Sequence, residues 1–137
     1  YSKKEKYFNL IKKYNLSNNI TWHEKYIPDN NVTTYFSAAD ICVLPYKSAT
    51  QSGIVKIAFN YDLPVIVTRV GNLQDVVDEG KSGFIIEPEN SQALSDILYK
   101  LIEKHISKDM SEFIKIKKSI FSWTNFVNGI ESLYKRI

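Results

Sequence analysis

The stretch YKSATQSGIVKIAF, residues 46–59, gathers Ser48, Thr50, Gln51, Ser52 and Gly53 between an apolar strand-like run and an apolar helix-like run. A plain strand-to-helix corner needs a turn and a cap, which one or two such residues supply. The surplus donors suit the binding of an anion. A helix beginning near Ser52 and Gly53 directs N–H groups and a positive dipole end outward, which fits a phosphate oxygen. Gly53 has no Cβ to hold a ligand off the backbone. Ser48, Thr50, Gln51 and Ser52 add donors of little bulk, while Lys47 and Lys56 bring positive charge for a diphosphate. The same residues also read as a hydroxyl cap on a buried helix, and the loop by itself leaves both readings open.

Other chemistries find less support. No glycine-rich run ends in Gly-Lys-Ser or Gly-Lys-Thr, no Gly-x-Gly-x-x-Gly follows a strand-like run, and no Gly-x-Ser-x-Gly elbow occurs. His23 and His105 stand alone, without cysteine or carboxylate at metal-ligand spacing, so no metal site is assigned. Asp75 and Asp78 could act as paired acids, but beside Glu79 they read more simply as the solvated acidic face of a helix.

The elements that must position the loop alternate in type. Residues 1–16 open in a helical pattern with Tyr7, Leu10, Ile11 and Tyr14 on one side. NITWHEKYI, 19–27, predicts a strand ending at Pro28, followed by a short helix with Asp29 as its N-cap. ICVLPY, 41–46, reads as a strand buried on both faces. The helix from Gly53 carries Ile54, Val55, Ile57, Ala58 and Tyr61, and PVIVT, 64–68, is the next strand. A turn at Gly71 then leads into a helix with Leu73, Val76 and Val77 inward, stopped by Gly80. GFIIEP, 83–88, supplies the fourth strand, and Ser91 caps a helix whose Leu94, Ile97, Leu98, Leu101 and Ile102 share one face. Strands separated by helices pair in parallel through right-handed crossovers, so the expected fold is α/β, a Rossmann-like parallel sheet with helices on both faces. Residues 111–137 show no strand signal. Their Trp123, Phe126, Ile130, Leu133, Tyr134 and Ile137 form a helical stripe, read as an extension packing on the sheet domain.

With 137 residues, 44% of them hydrophobic, the chain suits a single domain, 1–137, with a proper core. The net charge of +3 is mild and its lysines are interspersed with glutamates, which argues against nucleic acid as a partner. The lone Cys42, inside an apolar run, reads as a small buried side chain in a reduced, cytosolic protein, and no disulfide framework can form. No run of about 18 apolar residues and no signal-peptide pattern occurs. The chain opens on Tyr1, directly in a helical pattern, and is expected to be an excerpt of a longer one.

The run YFSAADICVLPYKSATQSGIVKIAFNYDLPVIVTRVGNLQDVVDEGKSGFIIEPENSQAL resembles the C-terminal, donor-binding domain of the group 1 (family 4) glycosyltransferases, the two-Rossmann-domain class. The likeness covers about residues 16–104, with AAD before an apolar strand, LP at its end, a ligand loop, PVIVT, VGNLQDVV and GKSGFIIEPEN in order. It implies a retaining transfer of a sugar from a nucleotide-diphosphate sugar to a glycan or lipid-linked acceptor, with no metal and no cofactor besides the donor. On this chain it places the diphosphate at Thr50, Gln51, Ser52 and Gly53, the base near Lys25, Tyr26 and Ile27, and Gly71 and Asn72 close to the same cleft.

Two departures stand out. Many members carry two glutamates, one on the donor sugar and one on the ribose; aligned back from Pro64, their places fall on Ala49 and Ile57, so that carboxylate role is absent there. The loop SATQSG resembles one branch of the family, in which Gln51 would take some of the polar recognition. The family also has further strand-helix units and an acceptor-binding N-terminal domain before the point where this sequence begins. The expectation is therefore an N-terminally incomplete donor domain, inactive alone, from a cytoplasmic enzyme that associates peripherally with the inner face of a membrane. No residue offers itself as a general base, and no catalytic residue is assigned. A different class, a non-catalytic module that binds a nucleotide or phosphosugar in the same cradle, stays open beside the enzyme.

Overall fold

A computed structural model describes residues 4–50, 52–104, 106–120 and 123–134. They form two compact units, Tyr1–Val32 and Thr33–Ile137.

In the first unit, helix α1, Lys4–Lys13, ends on Lys12 and Lys13, cations that suit the negative end of its dipole. The Trp22 ring packs on Phe8 and Tyr7, with centroids 5.3 and 5.8 Å apart, and Lys4 Nζ donates to Glu24 Oε2 at 2.6 Å. This corrects the strand expected over 19–27, whose described backbone is not a strand. Its Trp22 serves ring packing on α1 instead of a sheet face. Helix α2, Asp29–Ala38, begins at Asp29 itself, whose Oδ1 accepts the Tyr26 hydroxyl at 2.6 Å, so Asp29 is the first helical residue rather than the cap before it.

The second unit is built on three parallel strands, β1 Cys42–Leu44, β2 Val65–Thr68 and β3 Gly83–Ile86, in the order β1-β2-β3. Cys42 lies opposite Val65, and Val65 opposite Gly83. The part of α2 from Thr33 on, with helices α3 Gly53–Asn60, α4 Ser91–Lys104, α5 Ile106–Ile120 and α6 Trp123–Tyr134, completes it. The central strand β2 is buried throughout, and its alternation divides the core. Val65 and Val67 join Leu44, Leu63, Leu73, Val77 and the α3 residues Val55 and Ala58. Ile66 joins Phe84, Ile86, Leu101 of α4 and Met110 of α5 on the other face. Helices therefore cover both sides of a parallel sheet, as the alternation of elements requires.

Residues 70–80 do not form the expected helix; they hold one 3-10 turn, Gln74–Val76, with Leu73 and Val77 buried and Val76 36% exposed. Local side-chain partners compete with the helical ladder. The Asp78 N–H donates to Ser82 Oγ at 2.9 Å, and Glu79 Oε2 accepts the Ile85 N–H at 2.8 Å. Helix α4 is capped one residue earlier than expected, by Asn90 Oδ1 accepting the Ala93 N–H at 2.9 Å. Of the C-terminal stripe, Ile130 and Tyr134 are exposed; the side chains of Trp123, Phe126 and Leu133, and Ile137 altogether, lie outside the described residues, as does His105. No described helix is long and apolar enough to cross a membrane.

Cys42 is half-buried on β1, and burial pushes its thiol above the ordinary range. Since the thiolate is the reactive form, alkylation by iodoacetamide at pH 8 should be slower in the folded protein than in the same chain unfolded in urea, as followed by mass spectrometry. Equal rates would show an accessible thiol with an ordinary acidity.

Candidate functional site

The loop between β1 and α3 is fixed from below by β2. Thr68, only 1% exposed, ends that strand, and its Oγ1 donates to Tyr46 O at 2.7 Å. The turn after β2 then locks the loop's far half. The Asn72 N–H donates to Thr50 O at 3.1 Å. Gly71 has φ +52°, and a Cβ there would lie 2.1 Å from Ala49 O and 2.7 Å from Thr50 O. Only glycine accepts both the left-handed backbone and the close approach.

Beyond this lock, Ser52 is the N-cap of α3, with extended backbone and its Oγ accepting the Ile54 N–H at 3.2 Å. The hydroxyl hydrogen of Ser52 is not used in that bond and can turn outward. The first N–H groups of a helix have no carbonyl partner within it, and the cap answers one of them. A Cβ on Gly53 would meet nothing within 4 Å, so the protein itself does not require glycine there. Between the start of α3 and the turn after β2 lies a cleft of about 270 Å³, lined by Ser52, Gly53, Lys56, Asn72, Leu73, Asp75 and Val76. It stands where loops leave the carboxyl ends of two neighbouring parallel strands, the usual place for ligands in such sheets. A wider hollow, about 730 Å³, shares Lys56, Asp75 and Val76 and continues to Ile114, Lys117 and Lys118 of α5.

Of the residues singled out by sequence, Ser52, Gly53, Lys56 and Asn72 meet around this cleft. Ser48 and Thr50 are exposed on the same loop without lining it, and Gln51 lies outside the described residues. Gly71 serves the loop's packing rather than the cleft surface. Lys47 turns away: its Nζ pairs with Glu89 Oε1, and it lines a separate hollow of about 180 Å³ with Pro45, Thr68 and Glu87 among others. Lys25, Tyr26 and Ile27 belong to the first unit. There the hydrogen bond from Tyr26 to Asp29, together with that carboxylate's charge, holds the phenol above its usual range.

Thr68, which closes β2 under the loop, and Asp75, which lines the cleft, have no role assigned from sequence. A polar residue closing an apolar strand, and an acid in the turn after a strand's carboxyl end, were the signals available. The acidic trio is not one solvated helical face. Asp75 lines the cleft, Asp78 holds Ser82 and Lys117, and Glu79 accepts a backbone N–H. Among the described residues no group of three histidines, cysteines or carboxylates is arranged to hold a metal.

A parallel sheet covered on both faces, with a cleft at a helix N-terminus beyond its strand ends, defines a Rossmann-like α/β domain. Residues 2–119 match the family described as Glycosyl transferases group 1, and the chain belongs to that family. It is 32% identical over 113 residues to a D-inositol 3-phosphate glycosyltransferase of Corynebacterium urealyticum, covering 80% of this chain and 26% of that protein's length. In fold it is similar to Alr3699/HepE of Anabaena, solved in complex with UDP-glucose, with a TM-score of 0.72 at 18% identity over 97% of this chain and 36% of that one. It is likewise similar to the C-terminal domain of LpcC, a group 1 glycosyl transferase family protein of Francisella tularensis, with a TM-score of 0.72 at 21% identity over 84% of this chain and 62% of that one.

The two glycines of this site should separate in a denaturation experiment. Gly71→Ala forces a side chain into a carbonyl and a left-handed backbone, and should cost about 2 kcal/mol or more. Gly53→Ala, in open space at a helix start, should leave the urea midpoint unchanged or raise it. A Gly71→Ala protein as stable as the original would show that the two loops are not locked as described.

Proposed function

We propose that this chain is the donor-binding part of a retaining glycosyltransferase of family 4, in the branch marked by the SATQSG loop, and that its cleft holds the diphosphate of a nucleotide-sugar donor. The observation that carries the reading is the meeting of the α3 N-terminus, Lys56 and Asn72 in one cleft beyond the ends of β1 and β2. Membership of the glycosyltransferase family supports it, as does the similar fold of a protein solved with UDP-glucose.

In a sugar transfer the glycosidic bond breaks and the departing nucleotide diphosphate gains negative charge. Groups already aimed at those oxygens stabilise the charge more in the transition state than in the bound donor. Here the Gly53 end of α3 offers N–H groups and a positive dipole end, the Ser52 hydroxyl can donate, and Lys56 adds a full charge. In this reading these groups carry the stabilisation, with no metal or other cofactor besides the donor. The acceptor, a glycan or lipid-linked sugar, is carried by a further domain, and the whole enzyme works in the cytoplasm at the inner face of a membrane. The chain spans 26% of the length of the first curated relative, and the activity proposed is that of the whole protein.

Calorimetric titration with UDP, GDP, ADP and their glucose conjugates tests the site. The Gly53→Val variant, which pushes a side chain toward the phosphates, should weaken the best of these ligands at least about tenfold, roughly 1.4 kcal/mol. Unchanged affinity in a folded Gly53→Val protein would remove the diphosphate from this cleft.

A further inference from the structure

Several charged groups of the second unit are paired within the protein. Asp62 pairs with Lys118, Asp78 with Lys117, Glu87 with Arg69 and Glu89 with Lys47, while Glu79 accepts the Ile85 N–H. Lys56 and Asp75 are different. They line the same cleft, yet neither side chain forms a hydrogen bond or ion pair with any described residue, including each other. Opposite charges that share a cleft without pairing are held apart by the elements that carry them, one by α3 and the other by the turn after β2. Both are exposed, open to solvent and to a ligand alike.

What such a ligand must be follows from the two charges. Lys56 and the α3 N–H groups favour phosphate oxygens, which a carboxylate repels. A carboxylate is an acceptor only, and its good neutral partners are hydroxyl groups. A ligand that satisfies both ends bears an anionic part and a hydroxylated part a short distance away. We propose that Asp75 is a specificity-determining residue, whose carboxylate accepts hydrogen bonds from sugar-ring hydroxyls of the nucleotide sugar while Lys56 faces its diphosphate. This rests on the assignment of the cleft to a nucleotide-sugar donor. The hydroxyls belong either to the ribose or to the transferred sugar, and the two present the same chemistry to the carboxylate.

Inorganic pyrophosphate, UDP and UDP-glucose, titrated into the original protein and into Asp75→Asn, distinguish these sources. Pyrophosphate has no hydroxyl on carbon, so the variant should bind it as well as before or more tightly. UDP-glucose should bind about fivefold more weakly or worse. An equal loss for UDP assigns the contact to the ribose, and a loss confined to UDP-glucose assigns it to the donor sugar. Asp75→Glu should recover part of the affinity, and thermal melting of both variants should match the original, since Asp75 holds no other side chain. The inference is overturned if Asp75→Asn leaves UDP-glucose binding intact, or weakens pyrophosphate as much as UDP-glucose. Gly53→Val separates the two claims: if it abolishes binding while Asp75→Asn does nothing, the cleft stands and the role of Asp75 falls. If the original protein binds none of the three probes, both fall together.

Discussion

The backbone of Gly71 rests against the carbonyl oxygens of Ala49 and Thr50, closer than any side chain allows. That contact joins the loops that follow two neighbouring strands, and the Asn72 N–H bond to Thr50 O secures it. Because both loops are anchored at the sheet, one by Thr68 bonding Tyr46 O and the other by continuing from β2, the start of α3 is held at a fixed place above the strand ends. The cleft is the space this arrangement leaves over. Its far wall is steadied from elsewhere, since Lys117 of α5 pairs with Asp78 just beyond the turn.

Much of this could be read from the residues in order. The three strands announce themselves as short apolar runs rich in valine and isoleucine, and helices α3 and α4 follow the three-and-four spacing. The corner at 48–53 stood out because it holds more small donors than a turn needs. Where the reading went astray, the deciding partner was distant in sequence or local in an unexpected way. Residues 19–27 alternate like a strand, but Trp22 turns its ring to Tyr7 and Phe8. Nothing in residues 46–59 reveals that Lys47 is claimed by Glu89, forty-two positions on. The segment after Gly71 has helical spacing, yet Asp78 and Glu79 bind backbone and hydroxyl groups that a helix would have left to others.

The same acids show why charge alone is a poor guide to function. Asp75, Asp78 and Glu79 are near neighbours in the chain, and by sequence they form one acidic patch. In the folded chain they do three unlike things, and only one faces the cleft. Net charge and local composition set which ligands are tolerable in general. The pairing of each group decides which charge is left for a ligand.

The parallel ladder has a kinetic corollary. Cys42 pairs with Val65 and Val65 with Gly83, so each strand contact closes a loop of about twenty residues, and among the described residues no tight hairpin nucleates the sheet. Gly71 meets Ala49 only after the first of these closures has happened. A nascent or partly collapsed chain therefore holds residues 48–53 without the Gly71 contact that fixes their loop.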